Sequence, residues 1–224
     1  MHGSESTTKH NIISNIKCSG GKMRVVPYIG ARDGAQDGST GLPSTLEVLD
    51  LSDNLFDRLE RNTFKSFNEL RELNLSTNKL KDFEAVTFYG LKRLQVLDLS
   101  NNKFTEVPNK ALRVNTISLN GYVLMTCFQI ISGLTTLAIG GNPIESLTSM
   151  EFAPLSNLTV LNINNLTKLK DITKDTFNGL QGLQELRFAK SKLKSIPATD
   201  FYKLAVSIVS VRTSSCAVLD AVFA

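Results

Sequence analysis

Apolar and polar residues alternate in a phrase that returns along this chain: LEVLDLSDN at 46–54, LRELNLSTN at 70–78 and LQVLDLSNN at 94–102. Positions four and six are apolar and their neighbours mostly polar, the period-2 mark of a short strand with one buried face. A step of about 24 residues is the sign of stacked structural units that bury surface only against each other. Weaker copies start at Val114, Leu134, Leu158, Leu183 and Val206, so eight strands are expected. The inward pairs would be Leu49/Leu51, Leu73/Leu75, Leu97/Leu99, Ile117/Leu119, Leu137/Ile139, Leu161/Ile163, Leu186/Phe188 and Val209/Val211.

Asn54, Asn78, Asn102 and Asn142 fill the ninth position of their copies. A buried amide there needs backbone partners from adjacent turns. Tyr122, Leu166, Ser191 and Ser214 stand near this place in the other copies, and looser turns are expected around them. After the Asn come two apolar positions (Phe56/Leu59, Leu80/Phe83, Phe104/Val107, Ile144/Leu147, Leu193/Ile196), and then a Phe-x-x-Leu half with close variants. Phe64/Phe67, Phe88/Leu91, Phe152/Leu155, Phe177/Leu180 and Phe201/Leu204 should form a convex spine, each aromatic contributing a few kcal/mol by burial. The copies starting at 94 and 114 lose that half, so the convex wall should thin over 105–133.

By this point the chain resembles the extracellular, 24-residue class of leucine-rich repeat proteins. Its phrase LxxLxLxxNxLxxLxxxxFxxLxx is readable in full at 70–93. Slit-like guidance proteins, Toll-type receptor ectodomains, small matrix proteoglycans and variable lymphocyte receptors share it. The resemblance implies an α/β repeat solenoid. This is a curved horseshoe with a parallel β-sheet on its concave face and irregular or short helical convex segments. It divides the chain into an N-terminal tail (1–16), a partial N-terminal cap with a Gly-rich insertion (17–45), and a solenoid of about eight repeats (46–224), the last incomplete. The family's cap is braced by several cysteines. Here it holds Cys18 alone, while Cys127 and Cys216 fall in core slots.

Composition narrows the function. A net charge of +4 without a Lys/Arg run does not favour nucleic acid. His2 and His10 both precede the cap, so no Ser-His-Asp set or His/Cys cluster can form within the repeats. An enzyme, a metal and a cofactor are therefore not expected. No stretch reaches the roughly 20 apolar residues of a membrane span, and the opening MHGSESTTKH lacks a secretory h-region.

The strand residues facing solvent are the candidate ligand-binding set. Position three supplies Val48, Glu72, Val96, Thr116, Thr136, Val160 and Glu185; position five supplies Asp50, Asn74, Asp98, Ser118, Asn162 and Arg187. Charge along this face runs from acidic to basic, which can orient a partner. Asn74, Asn157 and Asn165 open glycosylation sequons. The expected function is protein recognition by a secreted, cell-surface or receptor-ectodomain module in adhesion or innate immunity. The alternative is a structural matrix protein or cytoplasmic scaffold assembling through its flanks or through the C-terminal end near Cys216 and Leu219.

Overall fold

The computed structural model describes residues 14–26, 42–84, 87–108, 131 and 133–193, together with the backbone of 117–119, 122–124 and 210–212. Its main element is an eight-stranded parallel sheet built from β1 (Asn15–Lys17), β2 (Val48–Asp50), β3 (Glu72–Asn74), β4 (Val96–Asp98), β7 (Thr136–Ala138), β9 (Val160–Asn162), β11 (Glu185–Arg187) and β12 (Ser210–Arg212). Each strand is three residues long, and its central residue is buried wherever the side chains of β2 to β11 are described. The strands pair in strict register, Leu49, Leu73, Leu97, Leu137, Leu161 and Leu186 forming one row.

Behind the sheet the expected core is present. The inward pairs of β2, β3, β4, β7, β9 and β11 are buried, as are the apolar pairs that follow the Asn in the first three repeats and at Ile144/Leu147. Among the described residues the Phe spine forms two stretches. Phe64 stacks on Phe88 with centroids 6.3 Å apart, Phe83 meets both Phe88 and Phe104, and the series resumes with Phe152 stacked on Phe177 at 6.1 Å. Among the described residues the convex segments are turns, plus one two-stranded parallel pair of β8 (Ser146–Leu147) with β10 (Asp171–Ile172).

Four buried asparagines tie the turns together. The Asn78 amide nitrogen donates to Leu75 O in its own turn at 3.1 Å and to Leu51 O in the preceding turn at 3.0 Å. Its Oδ1 accepts the Phe56 N–H at 3.1 Å. Asn102 repeats this with Leu99 O, Leu75 O and Leu80 N–H, and Asn142 with Ile139 O, Leu99 O and Phe104 N–H. Asn54 makes the same contacts to the cap, through Cys18 O and Met23 N–H. A carboxamide suits the position because it donates and accepts at once.

Two expectations are corrected. The copy at Val114 contributes no strand to the sheet: β4 pairs directly with β7, placing Val96 beside Thr136. Ile117–Leu119 (β5) instead pairs antiparallel with Tyr122–Leu124 (β6) in a separate hairpin. Asn142 accordingly reaches back 43 residues to Leu99, sixteen more than the 27 that separate Asn102 from Leu75. The two shortened copies are thus one turn carrying an insertion, and β1 from the cap supplies the eighth strand. The last strand also shifts, since Ser210, Val211 and Arg212 oppose Glu185, Leu186 and Arg187, two residues later than the phrase at Val206 places them.

The turn lacking its Asn is also more regular than expected. Leu166 is buried, and the backbone bonds Ile163 N–H to Arg187 O and Asn165 N–H to Ala189 O continue the pattern of earlier turns. One extra residue is taken up just beyond, moving the buried apolar pair to Leu169 and Ile172. The expectations for the convex wall over 109–130, for Cys127 and for Cys216 and Leu219 fall outside the described residues.

If the asparagines close the turns, replacing one orphans buried groups in two repeats, each costing on the order of 1 kcal/mol or more. Asn78→Ala should therefore lower unfolding free energy by about 3 kcal/mol in urea denaturation. A change within about 0.5 kcal/mol would show that the amide is not structural.

Candidate functional site

The sheet's outer face is built by register. One row runs Val48, Glu72, Val96, Thr136, Val160, Glu185, and the other Lys17, Asp50, Asn74, Asp98, Ala138, Asn162, Arg187, Arg212. The structure therefore brings together eleven of the thirteen expected binding residues. Ser118 lies in the separate hairpin, and Thr116 falls outside the described residues. Glu72 is exposed, whereas its row neighbours are half-buried by the adjoining strands.

Position five has a structural duty that the sequence reading missed. Asp50 Oδ1 accepts the Ser52 N–H at 2.9 Å, Asn74 Oδ1 the Ser76 N–H at 3.0 Å, Asp98 Oδ1 the Ser100 N–H at 2.8 Å, and Asn162 Oδ1 the Asn164 N–H at 3.1 Å. Each is an Asx turn closing the strand. The signal was the repeated Asp/Asn-Leu-Ser triplet, DLS, NLS, DLS. Three residues beyond position five of each turn, after Ala138 as well as after the four Asx acceptors, the chain turns left-handed, at Asp53, Thr77, Asn101, Gly141 and Asn165, with φ between 53° and 69°. That reversal carries the ladder Asn inward.

Several charges on the face are already paired. Lys17 lies 3.7 Å from Asp50, and Arg71 lies 3.8 Å from Glu47 at the strand margin. Arg187 donates twice to Glu185, both bonds at 2.8 Å, which raises the guanidinium pKa above its ordinary value. The expected basic end is therefore partly neutralised at Arg187. Exposed pairs link neighbouring turns elsewhere: Arg61 with Glu84, Arg93 with Glu69, and Lys170 with Glu145 at 3.0 Å. The Lys170 ammonium, by its hydrogen bond, holds the Glu145 carboxyl below its usual range.

The sequons differ in setting. Asn74 is half-buried in the face between Asp50 and Asp98, whereas Asn157 and Asn165 are exposed. Among the described residues no group of three or more His, Cys, Asp or Glu side chains is placed to hold a metal. No helix of the described residues is long and apolar enough to cross a membrane.

Comparison with known families decides what this scaffold is. Residues 44–112 match the model "Leucine rich repeat", and residues 113–223 match "BspA type Leucine rich repeat region (6 copies)". The chain is a leucine-rich repeat protein. A search of curated protein sequences finds no match. Among solved structures this leucine-rich repeat chain is similar to TLR13 in its complex with ssRNA13. That likeness has a TM-score of 0.61 at 24% identity, over 76% of this chain and 21% of that one. It is also similar to human 5T4 (Wnt-activated inhibitory factor 1, trophoblast glycoprotein), with a TM-score of 0.60 at 22% identity, over 89% of this chain and 68% of that one. At these identities the likeness is one of fold, and this repeat array spans about a fifth of the TLR13 chain.

The Asx turns separate charge from structure at position five. Asp98→Ala should cost about 1 kcal/mol in denaturant unfolding, the usual loss for a side-chain cap. Asp98→Asn keeps the acceptor and should cost only a few tenths, on the same capping scale. Equal losses from both would mean that the charge, not the turn, is what Asp98 supplies.

Proposed function

We propose that this chain is a non-catalytic recognition module that grips a protein ligand on the outer face of its parallel sheet. We place it in the extracellular space or at a cell surface. The observation that carries the reading is the position-three row, where half-buried Val48, Val96 and Val160 alternate with Glu72, Thr136 and Glu185 on a rigid support. Apolar patches set among charges suit a protein surface, where anchors supply affinity and the charges orient the approach. Position five contributes in a lesser way, because Asp50, Asn74, Asp98 and Asn162 are committed to their own turns.

The TLR13 relative is solved as a complex with ssRNA13. In this chain Asp50, Glu72 and Asp98 would oppose a phosphate backbone, which favours a protein over RNA. A secreted history is supported by the exposed sequons at Asn157 and Asn165. A glycan at Asn74 would instead stand in the middle of the acidic half of the face.

Two experiments test the reading. Expressed through a secretory pathway, the protein should carry glycans at Asn157 or Asn165 and none at Asn74 by peptide mass spectrometry. A fully glycosylated Asn74 would remove the acidic repeats from the interface. Second, an Fc fusion should capture a partner from a panel of purified ectodomains and secreted proteins. Asp50→Asn, Glu72→Gln and Asp98→Asn together should slow its association several-fold at low salt, with a smaller effect at about 0.5 M salt. An association rate indifferent to all three would exclude the acidic end of this face as the contact.

A further inference from the structure

A second surface lies off the sheet, where the cap meets the first convex turn. A groove of about 640 Å³ runs between cap residues Arg24–Val26 and residues 57–66. The cap is anchored beside it: the Leu55 N–H donates to Met23 O at 2.8 Å, and the Met23 N–H donates to Asn54 Oδ1 at 3.2 Å. One wall is therefore tied to the same asparagine ladder that orders the repeats.

The groove is unusual in two respects. Val25 is 72% exposed, and among the other large apolar side chains described only Met150, at 43%, is also exposed. Around Val25 and the buried Leu59 stand Arg24, Arg58, Arg61 and Lys65, against Asp57 and Glu60. Arg58 lies 3.5 Å from Glu60, and Arg61 pairs with Glu84 of the next repeat. Arg24 and Lys65 have no ion pair to a described residue. Uncommitted cations beside an exposed aliphatic side chain attract carboxylates, and they also offer an apolar contact that an inorganic anion could not use.

We propose that this groove docks a short, extended acidic peptide segment of a partner protein, with an aliphatic side chain seated against Val25 and carboxylates meeting Arg24 and Lys65. The groove belongs to the convex half of the first repeat, whereas the proposed ligand face is the sheet. One molecule could then hold two partners at once, and neither site requires the other.

The test uses the whole chain and a fluorescein-labelled hexapeptide of alternating glutamate and leucine, followed by anisotropy. Saturable binding is expected, weakening as salt rises. It should fall about tenfold in Arg24→Glu with Lys65→Glu, and severalfold in Val25→Ser, as expected for lost charge pairing and apolar contact. Lys79→Glu with Lys103→Glu makes the same change of net charge at exposed sites outside the groove and should leave binding near its original value. Unchanged melting temperatures would show that the groove variants remain folded. Absence of binding would overturn the proposal, as would equal binding of a glutamate–serine hexapeptide or indifference to the Arg24 and Lys65 changes. Binding seen only after deletion of residues 28–40 would also overturn it, because the groove's occupant would then be the chain's own Gly-rich segment.

Discussion

Each turn of this solenoid carries backbone N–H and C=O groups into an apolar interior, and those groups must find partners there. The structure depends on how the ninth-position asparagine meets that demand. One planar amide closes its own turn through the carbonyl three residues back, then reaches the preceding turn with both a donor and an acceptor. The register of the sheet and the stacking of the Leu rows follow, because neighbouring turns are clamped at a fixed offset. Hydrophobic burial supplies most of the stabilisation, but it is not directional. The amides specify which stacking is adopted.

The same clamp explains why an irregular segment is tolerated. Between β4 and β7 the chain departs for sixteen residues beyond an ordinary turn, yet Phe104 N–H and Leu99 O still meet Asn142 as though the repeats were consecutive. What must be conserved through such an insertion is the geometry of its two ends, and loop closure costs grow only slowly with length. The outer face inherits this rigidity. Its side chains divide by role: at Asp50, Asn74, Asp98 and Asn162 position five closes the strand through Asx turns, and position three differs from strand to strand. Under the proposed binding role, a partner would be read more by Val48, Glu72, Val96, Thr136 and Val160 than by Asp50 or Asp98, whose carboxylates close their own turns.

Most of the fold was legible because period and burial agree at every repeat from 46 to 102, and even at Leu186/Phe188 the phrase predicts the buried residues. The errors came where local turn chemistry outvoted the period. Ile-Ser-Leu at 117–119 has the alternation of a solenoid strand, but Asn120-Gly121 before Tyr-Val-Leu is a two-residue hairpin signal, and the antiparallel pair forms there. The final strand slipped by two residues because its phrase lacks an Asn to anchor the count. At the candidate site, a sequence shows that Asp50 faces outward but not that its oxygen is spent on Ser52 N–H. Pairing of Arg187 with Glu185 was likewise invisible as a bond, although the i, i+2 spacing put both on one face.

A single amide ladder runs unbroken from the cap through the insertion. Native-state hydrogen exchange measures this at named amides. Met23, Phe56, Leu80 and Phe104 each donate to a ladder Oδ1, from Asn54, Asn78, Asn102 and Asn142 respectively. Phe56, Leu80 and Phe104 should exchange together, at the rate set by global unfolding, with Met23 somewhat faster at the end of the array. A Phe104 amide exchanging orders of magnitude faster than Phe56 and Leu80 would mean that the solenoid breaks at the insertion and that the ladder is not continuous.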